Sequence, residues 1–122
     1  MPAAFAHLHV HSEYSLVDST LRIPELVRAC AVRGIPALSV TDRNNLFALV
    51  KFQAEAEKAG VKPIAGADVL LAEGDAGAMR MTLLCRDREG YLALSRLLTR
   101  MWMHGHRVDG VVAQPAWLHE DT

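Results

Sequence analysis

Cysteine is scarce: Cys30 and Cys85 are the only two in 122 residues. They stand far apart, match no zinc-finger or redox spacing, and sit among apolar neighbours. That excludes a disulfide framework and reads as two reduced, buried thiols of a cytoplasmic protein. Long apolar runs are missing as well. Nothing approaches the roughly 18 residues that a membrane span needs. Met1-Pro2-Ala3-Ala4 leads into the first strand without a signal-peptide pattern. No membrane partner is therefore expected. Basic excess is absent: 13 Lys and Arg against 14 Asp and Glu leave a net charge of −1 at pH 7. This piece should carry no nucleic-acid footprint of its own. A Gly-rich phosphate loop and a nucleophile elbow are both lacking.

What remains is a globular composition, 51% hydrophobic and 22% charged, sized for one domain or part of one. Apolar periodicity predicts strands at Phe5 to Val10, Ile35 to Val40, Lys62 to Leu71 and Met79 to Cys85. It predicts helices at Pro24 to Arg33, Leu46 to Ala59 and Arg88 to Met103. Gly34 and Gly60 suit helix ends, and Asn44 or Asn45 can cap the second helix. The second helix presents Leu46, Leu49, Val50 and Phe52 as its apolar stripe. The third turns Tyr91, Leu94, Leu97, Leu98 and Met101 inward. Thr41 to Asn45 reads as a polar loop and Glu73 to Gly77 as a turn. Gly66 marks either a bulge or a close backbone approach. After Gly105 the pattern weakens to a short strand at Val111-Val112-Ala113 and a helical turn from Pro115. The order βαβαββα implies a mostly parallel sheet covered by helices. Its three or four strands are too few to close a barrel.

The segment His7-Leu8-His9-Val10-His11-Ser12 holds the most chemistry. As a strand it turns His7, His9 and His11 to one face and Leu8 and Val10 to the other. Two imidazoles two residues apart stand about 7 Å apart at Cα, and their side chains can converge on one ion. Imidazole is the commonest metal ligand. The competing reading is a solvated polar stripe on an amphipathic strand. Sites of α/β folds gather at the C-terminal ends of strands. Here those ends carry His9 and His11, then Asp42, then Asp68. Elsewhere, His104 and His106 read as helix-end or surface residues, Trp102 and Trp117 as packing anchors, and Glu55 and Glu57 as a solvated face.

His7-Leu8-His9-Val10-His11-Ser12-Glu13-Tyr14-Ser15-Leu16 with Asp18 resembles the opening of the PHP (polymerase and histidinol phosphatase) domain. The resemblance is to the branch at the N-terminus of bacterial replicative DNA polymerases, the DNA polymerase III alpha subunits. Thr41-Asp42-Arg43-Asn44-Asn45-Leu46 and Lys62-Pro63-Ile64-Ala65-Gly66-Ala67-Asp68 stand where that family has its second and third motifs. Thr82-Leu83-Leu84 and Gly90-Tyr91-Leu92-Ala93-Leu94 continue the match, which runs from Phe5 to about Leu118. The resemblance implies a distorted TIM-like barrel, of which this chain would be the N-terminal part. It implies a multinuclear metal site at the strand ends that hydrolyses phosphoesters, and in some polymerases removes 3′ nucleotides. His9 and His11 take the positions of metal ligands, His7 does not, and Asp18 stands where a further carboxylate can enter.

Departures follow. Where active members have a metal-binding His in the second motif, this chain has Arg43. Asp68 replaces a bridging glutamate, and Arg80 replaces a later His. A guanidinium has no lone pair to donate to a metal. At about 5 Å and an effective dielectric of 20, its charge costs a divalent ion on the order of 6 kcal/mol. Arg43 and Arg80 could instead pair with Asp42, Asp68 or Asp18 and replace ligands by salt bridges. A structural or docking module with a degenerate site is expected, with zinc or manganese at a residual His9–His11–carboxylate site. Magnesium would serve the full polymerase. The resemblance further implies as partners the rest of the polymerase chain, a proofreading exonuclease subunit, and DNA through the full protein. An open barrel leaves strand edges unpaired, so this piece alone should self-associate.

Overall fold

The computed structural model describes residues 5–15, 21–73, 77–107 and 110–121. The main sheet has four strands in the order β1 (Ala6–His7), β2 (Ala37–Arg43), β3 (Lys62–Leu71) and β4 (Met79–Leu84). The first three are parallel, and β4 runs antiparallel to β3. Helices α1 (Ile23–Val32) and α2 (Leu49–Ala59) connect the parallel strands. Helix α3 (Arg88–His104), the small β5–β6 ribbon (His106–Arg107 and Gly110–Val111) and α4 (Pro115–Asp121) follow.

Two apolar clusters hold these layers together. Ile23, Val27 and Phe52 of α1 and α2 pack on Leu38 and Val40 of β2. Leu94, Leu97 and Met101 of α3, with Trp117 of α4, pack on Val69 and Leu71 of β3. The predicted helical spacing produces these faces with two exceptions. Val50 is 82% exposed and Tyr91 37% exposed, so neither belongs to the inward stripe.

Boundaries moved where polar side chains found partners. β2 runs on through Thr41 and Asp42, expected as loop; both are buried, and Ser12 satisfies the Asp42 carboxylate. α2 starts at Leu49 rather than Leu46 and has no side-chain cap. Asn45 instead accepts from the Phe47 N–H at 3.1 Å and closes the turn ahead of the helix. Gly66 marks a close approach: a Cβ there would stand 2.7 Å from the Leu83 carbonyl oxygen. The predicted turn at 73–77 lies partly outside the described residues.

The first strand departs most. Its ladder ends at His7, which pairs with Leu38. Carried forward, that register would set Val10 beside Thr41. The Thr41 N–H donates to the Val10 carbonyl at 2.7 Å, a pattern that sets Val10 beside Val40 in parallel pairing. One extra residue is thus taken up between His7 and Val10. A one-residue slip exchanges the two faces of a strand. Val10 accordingly packs on the α1–α2 cluster, and His9 and His11 turn to the other side of the sheet. The three histidines therefore do not form one uninterrupted stripe.

Candidate metal centre

Asp68 stands near the C-terminal end of β3 with its side chain 1% exposed. Its register neighbours are Arg43 on β2 and Thr82 on β4. Burying a carboxylate costs heavily unless its oxygens are hydrogen-bonded. Here the Thr82 hydroxyl donates to Oδ1 at 2.5 Å. His9 Nε2 and His11 Nε2 reach Oδ2 at 2.7 and 2.5 Å. Burial pushes the Asp68 carboxyl up, but the bonds from Thr82, His9 and His11 and the nearby His9 outweigh it. They hold the group below its ordinary value. An ionised carboxylate can only accept, so each imidazole donates its Nε2–H.

The two histidines differ in access. The His11 side chain is 14% exposed and that of His9 54%. Their rings meet edge to face, 5.4 Å between centroids. The cluster is therefore sealed on the His11 side and open on the His9 side.

These three side chains form the one group of ligand-type residues that converges among the described residues, with donor atoms within 4.8 Å of one another. Two imidazole nitrogens and a carboxylate oxygen make a donor set suited to zinc, which accepts three protein ligands plus water. Three donors serve one ion. The donor chemistry fits, on the condition that an ion displaces the two Nε2 protons that now bridge to Asp68.

The other predicted residues are distributed around this cluster. Arg43 lies across from Asp68 in register and is half-buried. Arg80 is exposed and in register with Leu70, two residues along β4 from Thr82. Asp42 alternates to the opposite face of β2, on the side of Val40 and Phe52, and binds Ser12. Asp18 lies outside the described residues. Thr82 and Ser12 stand in motifs read from the sequence but have no role assigned there. Their roles depend on the β3–β4 register and on the slip after His7, which no local pattern announces. His104 and His106 are exposed, and Trp102 is half-exposed with its Nε1–H donated to the Asn44 carbonyl. Trp117 is buried under the Arg100 guanidinium.

Comparison with known proteins places the chain. Residues 7–121 match the PHP domain, and the chain belongs to that family. It is 49% identical over 133 aligned residues to the DNA polymerase III subunit alpha of Xylella fastidiosa strain Temecula1, covering 97% of this chain and 11% of that protein. It is 43% identical over 96 residues to the error-prone DNA polymerase of Symbiobacterium thermophilum, covering 79% and 8%. The chain thus spans about a tenth of the length of the curated relatives it matches. An amidohydrolase from Chromobacterium violaceum, solved with bound sulfate and no metal, superposes with a TM-score of 0.63 at 26% identity over 80% of this chain and 33% of that one. A Bifidobacterium adolescentis protein described as a metal-dependent phosphoesterase gives 0.62 at 15% identity over 85% and 35%, a likeness of fold alone. The expected fold, part of a TIM-like barrel of PHP type, is borne out. Among the described residues no helix is long and apolar enough to cross a membrane.

Proposed function

We propose that this chain is the PHP portion of a bacterial replicative DNA polymerase alpha subunit, and that it serves that polymerase as a structural module with a reduced, single-ion site. The 49% identity to a DNA polymerase III subunit alpha across 97% of the chain carries this reading. Template-directed nucleotide transfer, with magnesium, then belongs to the full polypeptide in the cytoplasm. Its partners are DNA, the remainder of the polymerase chain and a proofreading exonuclease subunit.

Within the site, His9, His11 and Asp68 would hold zinc or manganese. A bound ion of this kind supplies Lewis acidity and a more acidic water. Thr82 keeps one Asp68 oxygen occupied and so aims the other at the histidines. Arg43, in register with Asp68, brings fixed positive charge where active relatives have a ligand. Three converging donors and that charge favour one ion over a multinuclear cluster. Asp18 stands where the family can add a carboxylate, and Arg80 and Asp42 take no part in ligation.

Primer extension by the full-length polypeptide carrying this segment tests the reading. Extension of a primed template is expected, and undiminished extension when His9 and His11 are both replaced by alanine. A polypeptide that incorporates no nucleotide would contradict it. The second reading is a metal-dependent phosphoesterase or 3′–5′ exonuclease, favoured by the solvent access at His9. Manganese-dependent removal of 3′ nucleotides, abolished by Asp68→Asn, would establish that reading instead.

A further inference from the structure

We infer that Ser12 and Asp42 form a positioning clasp that sets the His9–His11 segment against Asp68 from the opposite face of β2. The purpose of the clasp rests on the single-ion reading above; its existence rests on geometry. After His7 the chain leaves its continuous ladder and slips by one residue, so that ladder no longer holds the histidines in place. Two fixed points replace it. The Val10 carbonyl is held by the Thr41 N–H at 2.7 Å. Ser12 is held twice by Asp42: its N–H donates to Oδ1 and its hydroxyl to Oδ2, both at 2.6 Å.

Hydrogen bonds to an ionised acceptor are roughly twice as strong as neutral ones, and two parallel bonds also fix orientation. Asp42 is 2% exposed and sits in a strand paired on both sides, so the anchor is stiff. The clasp extends past Ser12. Its hydroxyl oxygen accepts from the Tyr14 N–H at 3.1 Å, and Asn45 Nδ2 donates to the Tyr14 carbonyl at 3.0 Å. His11 is thus pinned between Val10 and Ser12, and only its side-chain torsions remain to place Nε2 on Asp68. The two Ser12 bonds to Asp42 hold the residue after His11, so through them Asp42 acts on the backbone that carries His11.

The test uses the 15N-labelled, metal-free chain. Imidazole NMR should show a protected His11 Nε2–H proton, since that proton is bonded to a buried carboxylate. Ser12→Ala should lose the signal and Ser12→Thr should keep it. Val27→Ala, a core substitution on α1 in the apolar cluster on the face of the sheet away from His9 and His11, should lower stability and keep the signal. Retention in Ser12→Ala, or equal loss in Val27→Ala, would overturn the clasp. Should Ser12→Ala fail to fold, Asp42→Asn serves: it keeps the acceptor for the Ser12 N–H, and the signal should broaden without loss of fold. An unaltered signal there would overturn the clasp too. Titration with zinc alone separates the two claims. Binding at least tenfold weaker in Ser12→Ala supports the clasp. A chain that shows the expected NMR pattern yet binds no zinc keeps the clasp and loses the single-ion reading.

Discussion

Thr82 donates its hydroxyl proton to Asp68 Oδ1 at 2.5 Å, from the strand that runs antiparallel to β3. The bond leaves Oδ2 alone to face His9 and His11. Thr82→Val keeps the shape of the side chain and removes the donor. A buried acceptor left without its partner costs about 1–3 kcal/mol. Urea unfolding of the variant should show a loss of that size with an unchanged slope. An unchanged midpoint would mean that the Asp68 oxygen does not need the bond.

Gly66 lies tight against the antiparallel strand β4. A Cβ would stand 2.7 Å from the Leu83 carbonyl oxygen and 2.8 Å from Leu84 Cδ2. Backbone cannot yield as a flexible side chain can, and overpacking of this kind costs about 1–3 kcal/mol. Gly66→Ala should lower the melting temperature and weaken amide protection across the β3–β4 ladder. A melting temperature equal to that of the parent would contradict the close approach.

Both thiols are pushed up by burial. In Cys30 burial outweighs the opposing Arg33 charge, and in Cys85 the Asp87 charge adds to it. An unfolded thiol titrates at about 8.5. A raised folded value means that the folded chain keeps protons which the unfolded chain has lost. The stabilising contribution is full below about pH 8.5 and is lost as pH rises through the folded values. Stability from urea melts should fall across that alkaline window, and Cys30→Ala should flatten the fall. Native thiols should also alkylate more slowly at pH 8 than those of the urea-unfolded chain.

β1 and β4 end the order of the main sheet. Unpaired strand edges are templates for pairing with another chain. Expressed by itself, the 122-residue chain should self-associate through these edges. Sedimentation velocity over a concentration series should show species larger than the monomer. A single monomeric boundary at every concentration would contradict this.

Much of the fold was legible because its signals are local. Apolar spacing located three helices and four main strands, and Gly60, in a left-handed conformation, ends α2 as expected. The meeting of His9 and His11 with Asp68 followed from the rule that strand ends share a rim. The slip after His7 was not legible, because hydrogen bonds between remote segments hold it. The side of Asp42 was misjudged for a related reason. Thr41 to Asn45 read as loop, and only as strand does Asp42 alternate away from Asp68. Thr82 stands in a motif of the sequence but has no role legible there, because that role depends on the exact β3–β4 register, which the turn between the strands does not specify.

The most direct test of the single-ion site is metal content by inductively coupled plasma mass spectrometry, on protein purified without a His tag or chelator. One equivalent of zinc or manganese per chain is predicted, falling to zero in Asp68→Asn. Two or more equivalents, or none in the parent chain, would contradict it.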